Sequence, residues 1–370
     1  MQNKFLTILF TIFFSLGALA FGNDCPWSNQ TGADFAKIDF SFEKVVSINA
    51  DQVQQDLKCL RIVLSTHYSL MLAEPNSQIL ARLDAAIKSA KPTTNSDLVE
   101  IIFKFHDGYP DRHLSYRGGG VIKQYSTIDP VKVNISEELL EEKIYIRSDF
   151  TYFKPGHLGT TLSEAQSEFI HYIQTYDKAL VIDLRGNGGG SSALAQALAE
   201  NLYTPTQPVP KATILQVESG LRDITQALSV RIILGEVGKK YLDYALAKWG
   251  GMRFPDLIKT EISRAEEKYY GKRSNPYESK IVIITDSGCL SACETIVEKM
   301  AGHPKVKFVG AHTGGALLYS NAMSITLPNS GIYIYIPSRL DVYETPIREG
   351  YGYNPTVKTM YIDLNRVLEP

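Results

Sequence analysis

Apolar residues recur at helical spacing in the first third of the chain. This spacing predicts helices over 50–65, 77–90 and 95–105, and Asn95 or Ser96 would cap the last of these. A turn-rich segment with the sequence FHDGYPDRHLSYRGGG follows at 105–120. We therefore expect a helical N-terminal region over residues 21–117.

Beyond that region, short apolar runs alternate with helical spacing, which is typical of a layered α/β core. The pattern predicts helices at 163–176, 191–202 and 291–300, and strands at 131–134, 143–147, 179–182, 281–285 and 307–310. It also predicts a hairpin of 324–327 with 332–337 across the turn PNSG. We expect this core over 118–370, with a mostly helical insertion at 216–270 that frames a site.

Composition and charge narrow the function classes. The 370 residues are 44% hydrophobic and 21% charged, with a formal net charge of −2, which is typical of a folded protein. Since no long basic run occurs, the sequence does not favour nucleic acid or an anionic membrane surface as a partner. Small molecules or polypeptides are the partners that it favours.

The first twenty residues have the pattern of an export signal. Lys4 precedes an apolar run at 5–16, and Ala18 and Ala20 form a small-residue cleavage motif. An uncleaved membrane anchor is the alternative, but the run is short for a bilayer span. We expect cleavage after Ala20, a periplasmic or secreted protein, and no stable membrane anchor afterwards.

The chain has four cysteines, which can pair in three ways. Cys25 and Cys59 both lie near the mature N-terminus, so we expect a bridge between them. Cys289 and Cys293 either form a second bridge across the turn between them or pack as two small buried thiols.

Two short motifs indicate chemistry, DLRGNGGG at 183–190 and DSGCLSACE at 286–294. Each follows an apolar run and precedes helical spacing, so each predicts a turn between a strand and a helix. Ser291 would stand exposed at the start of a helix, where many serines are merely caps. The N–H of Ala292, with that of Gly188 or Gly189, would bind an oxyanion. The glycine run fits neither a P-loop nor a dinucleotide-binding motif.

These motifs, followed by GAHTGG at 310–315, resemble peptidase family S41, the C-terminal processing or tail-specific proteases, over about 103–357. The resemblance implies an α/β fold with a crotonase/ClpP-like layered core. In the branch of the family that uses a Ser-Lys dyad, a lysine follows the third motif. Ala316 stands there in this chain, so the sequence is more similar to the tricorn-like branch, which uses a histidine and a carboxylate.

The resemblance also suggests the partners of Ser291. HDGYPDRHL at 106–114 corresponds to the histidine segment of that branch, which implies His113 as the base, with His106 as the alternative. REGYGYNP at 348–355 is similar to the acidic segment of the family, which implies Glu349 as the carboxylate, although Thr356 replaces the usual Asp. Too few residues follow Gly120 for the PDZ domain that many relatives carry.

The resemblance therefore implies an exported serine peptidase that cleaves polypeptides through an acyl-enzyme at Ser291. A protein that binds hydrophobic ligands on the same scaffold, similar to interphotoreceptor retinoid-binding protein, is one alternative, and an esterase or amidase is another. No cluster of residues with metal-ligand spacing occurs in the sequence, so we expect no metal and no cofactor. The sequence leaves the oligomeric state and the cleavage preference open.

Overall fold

The computed structural model describes residues 25–37, 43–74, 77–125, 130–234, 236–267, 269–343 and 349–369. The expected export signal at 1–20 lies outside these residues. Among the helices of the described residues, none has the length and apolar content that a bilayer crossing requires.

The helices lie in three groups along the chain, before the first long strand, within the core, and between two strands of the second sheet. They are α1 Gly32–Phe35, α2 Ala50–His67, α3 Leu70–Ala73, α4 Ile79–Lys88, α5 Asn95–Phe103, α6 Glu164–Thr175, α7 Ala193–Leu202, α8 Gly220–Leu234, α9 Glu236–Trp249, α10 Phe254–Leu257 and α11 Ala292–Met300. Short 3₁₀ helices occur at Pro26–Asn29 and Lys104–His106.

The strands alternate with these helices. They are β1 Ser47–Ile48, β2 Thr93–Thr94, β3 Ser115–Gly118, β4 Val121–Gln124, β5 Asn134–Ile135, β6 Lys143–Ile146, β7 Thr151–Lys154, β8 Leu180–Asp183, β9 Ala212–Glu218, β10 Glu261–Glu266, β11 Ile281–Thr285, β12 Val306–Gly310, β13 Tyr319–Thr326, β14 Tyr333–Tyr343, β15 Val357–Lys358 and β16 Tyr361–Ile362.

A mostly parallel sheet of order β15-β12-β11-β8-β7-β6 forms the first half of the core. Its central strands β8 and β11 pair in parallel and are buried along their whole length. Leu180 and Ile182 pack under the helices, whereas Val181 packs against the segment around β5 and β16 on the other face. Burial on both faces explains the continuous apolar runs. The predicted layered α/β core is confirmed.

A second sheet of order β10-β9-β14-β3-β4, with β13 paired to β14, is antiparallel. Its apolar face shares one core with the N-terminal helices, in which Leu60 and Leu64 of α2 lie with Ile334 and Ile336 of β14. The helices of the N-terminal part therefore cover a sheet that is built from residues far along the chain.

The hairpin of the second sheet is longer than the sequence predicts. The predicted end at Pro337 is wrong, because β14 continues to Tyr343. On one side, β14 pairs with β3 up to Tyr335 and with β9 from Arg339 onward, so Pro337 lies in the gap between these neighbours. A proline costs no ladder hydrogen bond at such a position.

The segment at 216–270 contains the helices α8 and α9, but it is not helical throughout. Its start is the end of β9, and residues 261–266 form β10, which pairs with β9. This edge strand has the sequence EISRAE and is mostly exposed. It lacks the apolar alternation of a half-buried strand, so sequence spacing alone did not separate it from a helix.

Both pairs of cysteines are bridged. The predicted bond between Cys25 and Cys59 is confirmed, with Cα atoms 5.3 Å apart, and it joins the N-terminal segment to α2. Cys289 and Cys293 also form a bond, with Cα atoms 5.4 Å apart, so the alternative of two free thiols is wrong. The chain turns into α11 between Cys289 and Cys293, and this turn brings the two Cα atoms to a separation that a disulfide requires.

Candidate active site

Ser291 lies at the carboxyl end of β11, in the turn that leads into α11. Its backbone has φ +56° and ψ −121°, a conformation that residues with a side chain rarely adopt. Strained backbone of this kind occurs at functional turns, where the surrounding structure holds it in place. Here the turn raises the hydroxyl toward the second sheet.

A buried glutamate holds this turn. The carboxylate of Glu294 accepts hydrogen bonds from the N–H of Ser291 at 3.1 Å, the hydroxyl of Thr313 at 2.6 Å, the N–H of Gly315 at 2.8 Å and the N–H of Ala316 at 2.6 Å. The turn that carries Ser291 and the GAHTGG turn are thereby fixed to each other. The sequence analysis missed this role, although serine followed three residues later by glutamate is the signal of a capping box.

The glycine-rich turn follows β8, the parallel neighbour of β11, so the two motifs lie side by side. The carboxylate of Asp286 accepts the N–H groups of Gly186 and Gly288, both at 2.9 Å. The N–H of Leu290 donates to the carbonyl of Asn187 at 3.1 Å. These bonds join the glycine turn to the turn that carries Ser291.

His113 reaches Ser291 from the other sheet. It lies just before β3, and its Nε2 is 3.0 Å from the Oγ of Ser291. The Nδ1 of His113 is buried and has no hydrogen-bond partner among the described residues. One ring nitrogen therefore faces the hydroxyl, and the other faces the protein interior.

His106, the alternative base, lies elsewhere. Its side chain is buried, and its Nε2 is 2.6 Å from the hydroxyl of Tyr116. Burial lowers the pKa of His106 to about 3. The structure thus brings His113 to the hydroxyl of Ser291 and leaves His106 in the core.

Glu349 lies beneath His113 in a network of backbone donors. It is 4% exposed, and its carboxylate accepts N–H groups from Arg112 at 3.2 Å, Leu317 at 2.9 Å and Leu318 at 2.7 Å. Its oxygen lies within 4.8 Å of a ring nitrogen of His113. The three residues Ser291, His113 and Glu349, which are far apart in the sequence, therefore lie together.

A second carboxyl group, which the sequence analysis missed, lies at the same place. Asp111 is 1% exposed, and its Oδ1 accepts the N–H groups of His113 at 2.8 Å and Leu114 at 3.1 Å. Its Oδ2 has no hydrogen-bond partner among the described residues. The position of an aspartate two residues before the histidine was the signal that could have found it.

Three backbone N–H groups are the donors that the sequence analysis predicts for an oxyanion. Ala292 is the first residue of α11, where helix geometry leaves the N–H without an intrahelical acceptor. The N–H of Gly188 meets no protein acceptor in the described part of the chain. The N–H of Gly189 donates instead to the side chain of Asn187 at 3.0 Å, so it is already engaged.

These groups open into one cleft between the two sheets, with a volume of about 530 Å³. Its walls include His113, Ser291, Ala292 and Gly188, together with residues of α8 and β14. A molecule in this cleft can contact the hydroxyl, the imidazole and both N–H groups at once.

Burial tunes the titratable groups of the site. It lowers the pKa of His113 to about 4, and the charge of Arg112 adds to this effect, so the imidazole is neutral at neutral pH. Burial raises the pKa of Asp111 to about 6. Burial, followed by the nearby charge of Asp111, raises the pKa of Glu349 well above its usual range.

Asp111, His113 and Glu349 each offer a possible metal-ligand atom within 4.8 Å of the others. Both oxygens of Glu349 already accept backbone N–H groups, and the Nε2 of His113 faces Ser291. The arrangement of donors therefore fits an imidazole next to carboxyl groups better than it fits a metal centre.

Comparison with known proteins relates the sequence to a known family. Residues 149–358 match the model of peptidase family S41, which is more than half of the chain. No protein of the curated set matches the sequence.

The solved structures that match this chain have low sequence identity to it. A candidate peptidase from Parabacteroides merdae is 13% identical, with a TM-score of 0.51 over 83% of this chain and 90% of that chain. A lipoprotein from Streptococcus agalactiae is 13% identical, with a TM-score of 0.43 over 83% and 92%. The photosystem II D1 C-terminal processing protease is 14% identical, with a TM-score of 0.32 over 65% and 50%. At such identities the first match supports a likeness of fold alone.

Proposed function

Because this chain belongs to peptidase family S41 and is a serine-type peptidase, we propose that it cleaves polypeptides with Ser291 as nucleophile and His113 as general base. The distance of 3.0 Å between the Nε2 of His113 and the Oγ of Ser291 carries this assignment. This contact places the imidazole of His113 next to the hydroxyl of Ser291, in the cleft where a substrate would bind, as a nucleophile and its base require.

The chemistry follows from the positions of these atoms. As the Oγ of Ser291 attacks the substrate carbonyl, its proton passes to the Nε2 of His113. The N–H groups of Ala292 and Gly188 bind the developing oxyanion, since the N–H of Gly189 is engaged by Asn187. The tetrahedral intermediate then collapses, and the Nε2 proton moves to the leaving amine.

Hydrolysis of the acyl-enzyme repeats these steps with water. His113 takes a proton from the water as it attacks, and the Oγ of Ser291 leaves with that proton. A carboxylate beside the Nδ1 of His113 fixes the tautomer that leaves Nε2 free to accept, and it stabilises the imidazolium. Glu349 is the group assigned to this positioning role.

The two disulfides support export of the protein. Bridges such as Cys25–Cys59 and Cys289–Cys293 persist in oxidising compartments, and reducing conditions in the cytosol oppose them. Together with the signal pattern of residues 1–20, they favour a periplasmic or secreted peptidase.

The test is the replacement Ser291→Ala. The parent and Ser291→Ala proteins are incubated with an unfolded protein, and the fragments are followed by mass spectrometry. We expect the variant to lose cleavage by about 10⁴-fold or more, because the nucleophile is absent. Ser89→Ala, which changes an exposed serine at the end of α4, serves as the matched control and should cleave like the parent. Equal cleavage by Ser291→Ala and the parent would contradict the assignment.

A further inference from the structure

Two carboxyl groups, and not one, lie beside the imidazole of His113. The oxygens of Asp111 and Glu349 and a ring nitrogen of His113 all lie within 4.8 Å of one another. Asp111 is 1% exposed and Glu349 is 4% exposed. Two buried carboxyl groups at this separation repel each other when both are ionised, so one of them retains a proton.

Asp111 and His113 each have one buried hydrogen-bonding atom that is unused. The Oδ2 of Asp111 and the Nδ1 of His113 are both buried without a partner among the described residues. Glu349 already accepts three backbone N–H groups, whereas Asp111 uses only its Oδ1 for two. A buried polar atom without a partner costs free energy, so the carboxyl group of Asp111 still has an oxygen available to accept a proton from a neighbouring donor.

We propose that Asp111 is a second positioning residue of the site, and that Asp111 and Glu349 together hold one proton and one negative charge beside the Nδ1 of His113. This inference rests on the proposed function. Either carboxylate can then accept the Nδ1 proton and stabilise the imidazolium, while the other is neutral. Asp111 acts through His113 and does not touch the substrate.

Other titratable groups surround the pair and belong to its electrostatics. These groups, which come from the neighbouring elements, are Tyr68, Arg112, Tyr116, Glu294 and Tyr319. The three tyrosines remain neutral at neutral pH, because burial raises the pKa of each of them. Arg112 therefore supplies the positive charge next to the pair.

Tyr68 offers a different role for Asp111. Its hydroxyl faces the same carboxyl group without reaching hydrogen-bond geometry. If Asp111 served only to hold Tyr68 in the core, Tyr68→Phe would have the same effect as Asp111→Asn. The variant Tyr68→Phe therefore belongs in the experiment.

The experiment is a double-mutant cycle of Asp111→Asn and Glu349→Gln. Asparagine keeps the oxygen that accepts the N–H groups of His113 and Leu114, so the local turn is retained. We measure kcat and KM on a labelled unfolded protein, and the rate of labelling by a fluorophosphonate reagent. Asp256→Asn, which changes an exposed aspartate, is the matched control.

If the pair shares the role, each single variant keeps one carboxylate. We expect each single variant to retain kcat within about 10-fold of the parent, and the double variant to lose about 10³- to 10⁴-fold with KM little changed. Tyr68→Phe in the Glu349→Gln background should keep the activity of Glu349→Gln. Equal losses in Glu349→Gln and the double variant, or in Asp111→Asn and the double variant, would overturn the shared role.

The pH profile adds a readout that a purely structural role would not move. Without any carboxylate at Nδ1 the imidazolium is less stable, so the pKa of His113 falls. The acid limb of kcat/KM should therefore move to lower pH in the double variant, and stay in place in Tyr68→Phe. An unmoved limb in the double variant would count against the proposal.

A spectroscopic measurement covers the case in which the double variant does not fold. In the parent, the Nδ1 proton of His113 should give a far-downfield NMR signal that remains in both single variants. Loss of this signal in Glu349→Gln alone would assign the role to Glu349 only. If the proposed function itself were wrong, Ser291→Ala would cleave the unfolded protein and react with the fluorophosphonate reagent like the parent. That result is distinct from every result that would overturn the shared role of Asp111 and Glu349.

Discussion

At the scale of single residues, the site depends on backbone positions that exclude a side chain. Gly189 has φ +91°, and a methyl group there would lie 2.4 Å from the carbonyl oxygen of Leu290 and 2.9 Å from the nitrogen of Ala292. The two turns touch at this point. Glycine is required because the backbone of one turn packs directly on the strained backbone of the other.

We predict that Gly189→Ala separates the two turns and lowers kcat by about 10²-fold, since it displaces the N–H groups that would bind the oxyanion. Unfolding should also require less denaturant, with a cost on the order of 1–3 kcal/mol. Kinetics and urea denaturation measure the two effects.

The matched control is Gly251→Ala, because a methyl group there meets no atom within 4 Å and the glycine φ is not positive. This variant should keep the activity and the denaturation midpoint of the parent. A Gly189→Ala enzyme with parental kcat would show that the contact between the turns does not position the site.

At the scale of elements, each disulfide constrains a different part of the structure. Cys25–Cys59 closes a sequence separation of 34 residues and joins the N-terminal segment to α2. Cys289–Cys293 closes a separation of 4 residues and encloses Ser291, at the entry to α11. The first bridge therefore acts on the stability of the fold, and the second acts on the nucleophile turn.

We predict that both paired serine variants lose stability, but that only one of them loses activity. Cys25→Ser with Cys59→Ser should cost about 3–4 kcal/mol of unfolding free energy, as expected for a loop of this length, with little change in kcat. Cys289→Ser with Cys293→Ser should cost about 2 kcal/mol and lower kcat, because the turn around Ser291 is less constrained.

Urea denaturation and kcat, measured on the same preparations, separate the two outcomes. The parent enzyme treated with a dithiol reductant should show the same loss of kcat as the variant without Cys289 and Cys293. If the variant without Cys289 and Cys293 retained full activity, the bridge around Ser291 would have no role in the geometry of the turn.

At the scale of the whole molecule, the candidate active site lies between two sheets with separate cores. Leu60 of α2 packs in the core of the antiparallel sheet, and Leu198 of α7 packs in the core of the parallel sheet. Ser291 follows a strand of the parallel sheet, whereas His113 precedes a strand of the antiparallel sheet. The distance between the Oγ of Ser291 and the Nε2 of His113 therefore depends on how the sheets sit on each other.

We predict that Leu60→Ala and Leu198→Ala, both fully buried leucines, each cost about 2–5 kcal/mol of unfolding free energy. Hydrogen exchange should rise in α2, β13 and β14 for Leu60→Ala, and in α7, β8 and β11 for Leu198→Ala, because each cavity weakens its own core. Equal increases throughout the described residues in both variants would indicate one cooperative unit instead.

The sequence by itself determined the strands and helices whose patterns are local. The runs at 179–182 and 281–285 are almost entirely apolar, and the strands β8 and β11 are buried along their whole length, so the parallel sheet could be predicted. The glycine and serine motifs predicted two turns between strands and helices. The resemblance to the family suggested His113 and Glu349, which lie together with Ser291 in the structure. The bond between Cys25 and Cys59 was expected because both lie near the predicted mature N-terminus.

Tertiary structure alone decided what depends on contacts between distant segments. The continuation of β14 through Pro337 depends on a change of neighbouring strands, and the edge strand β10 depends on its pairing with β9. The approach of Asp111 to Glu349, 238 residues later in the sequence, depends on how the two sheets pack. Local spacing carries no information on such contacts, because they form only when the chain has closed around both cores.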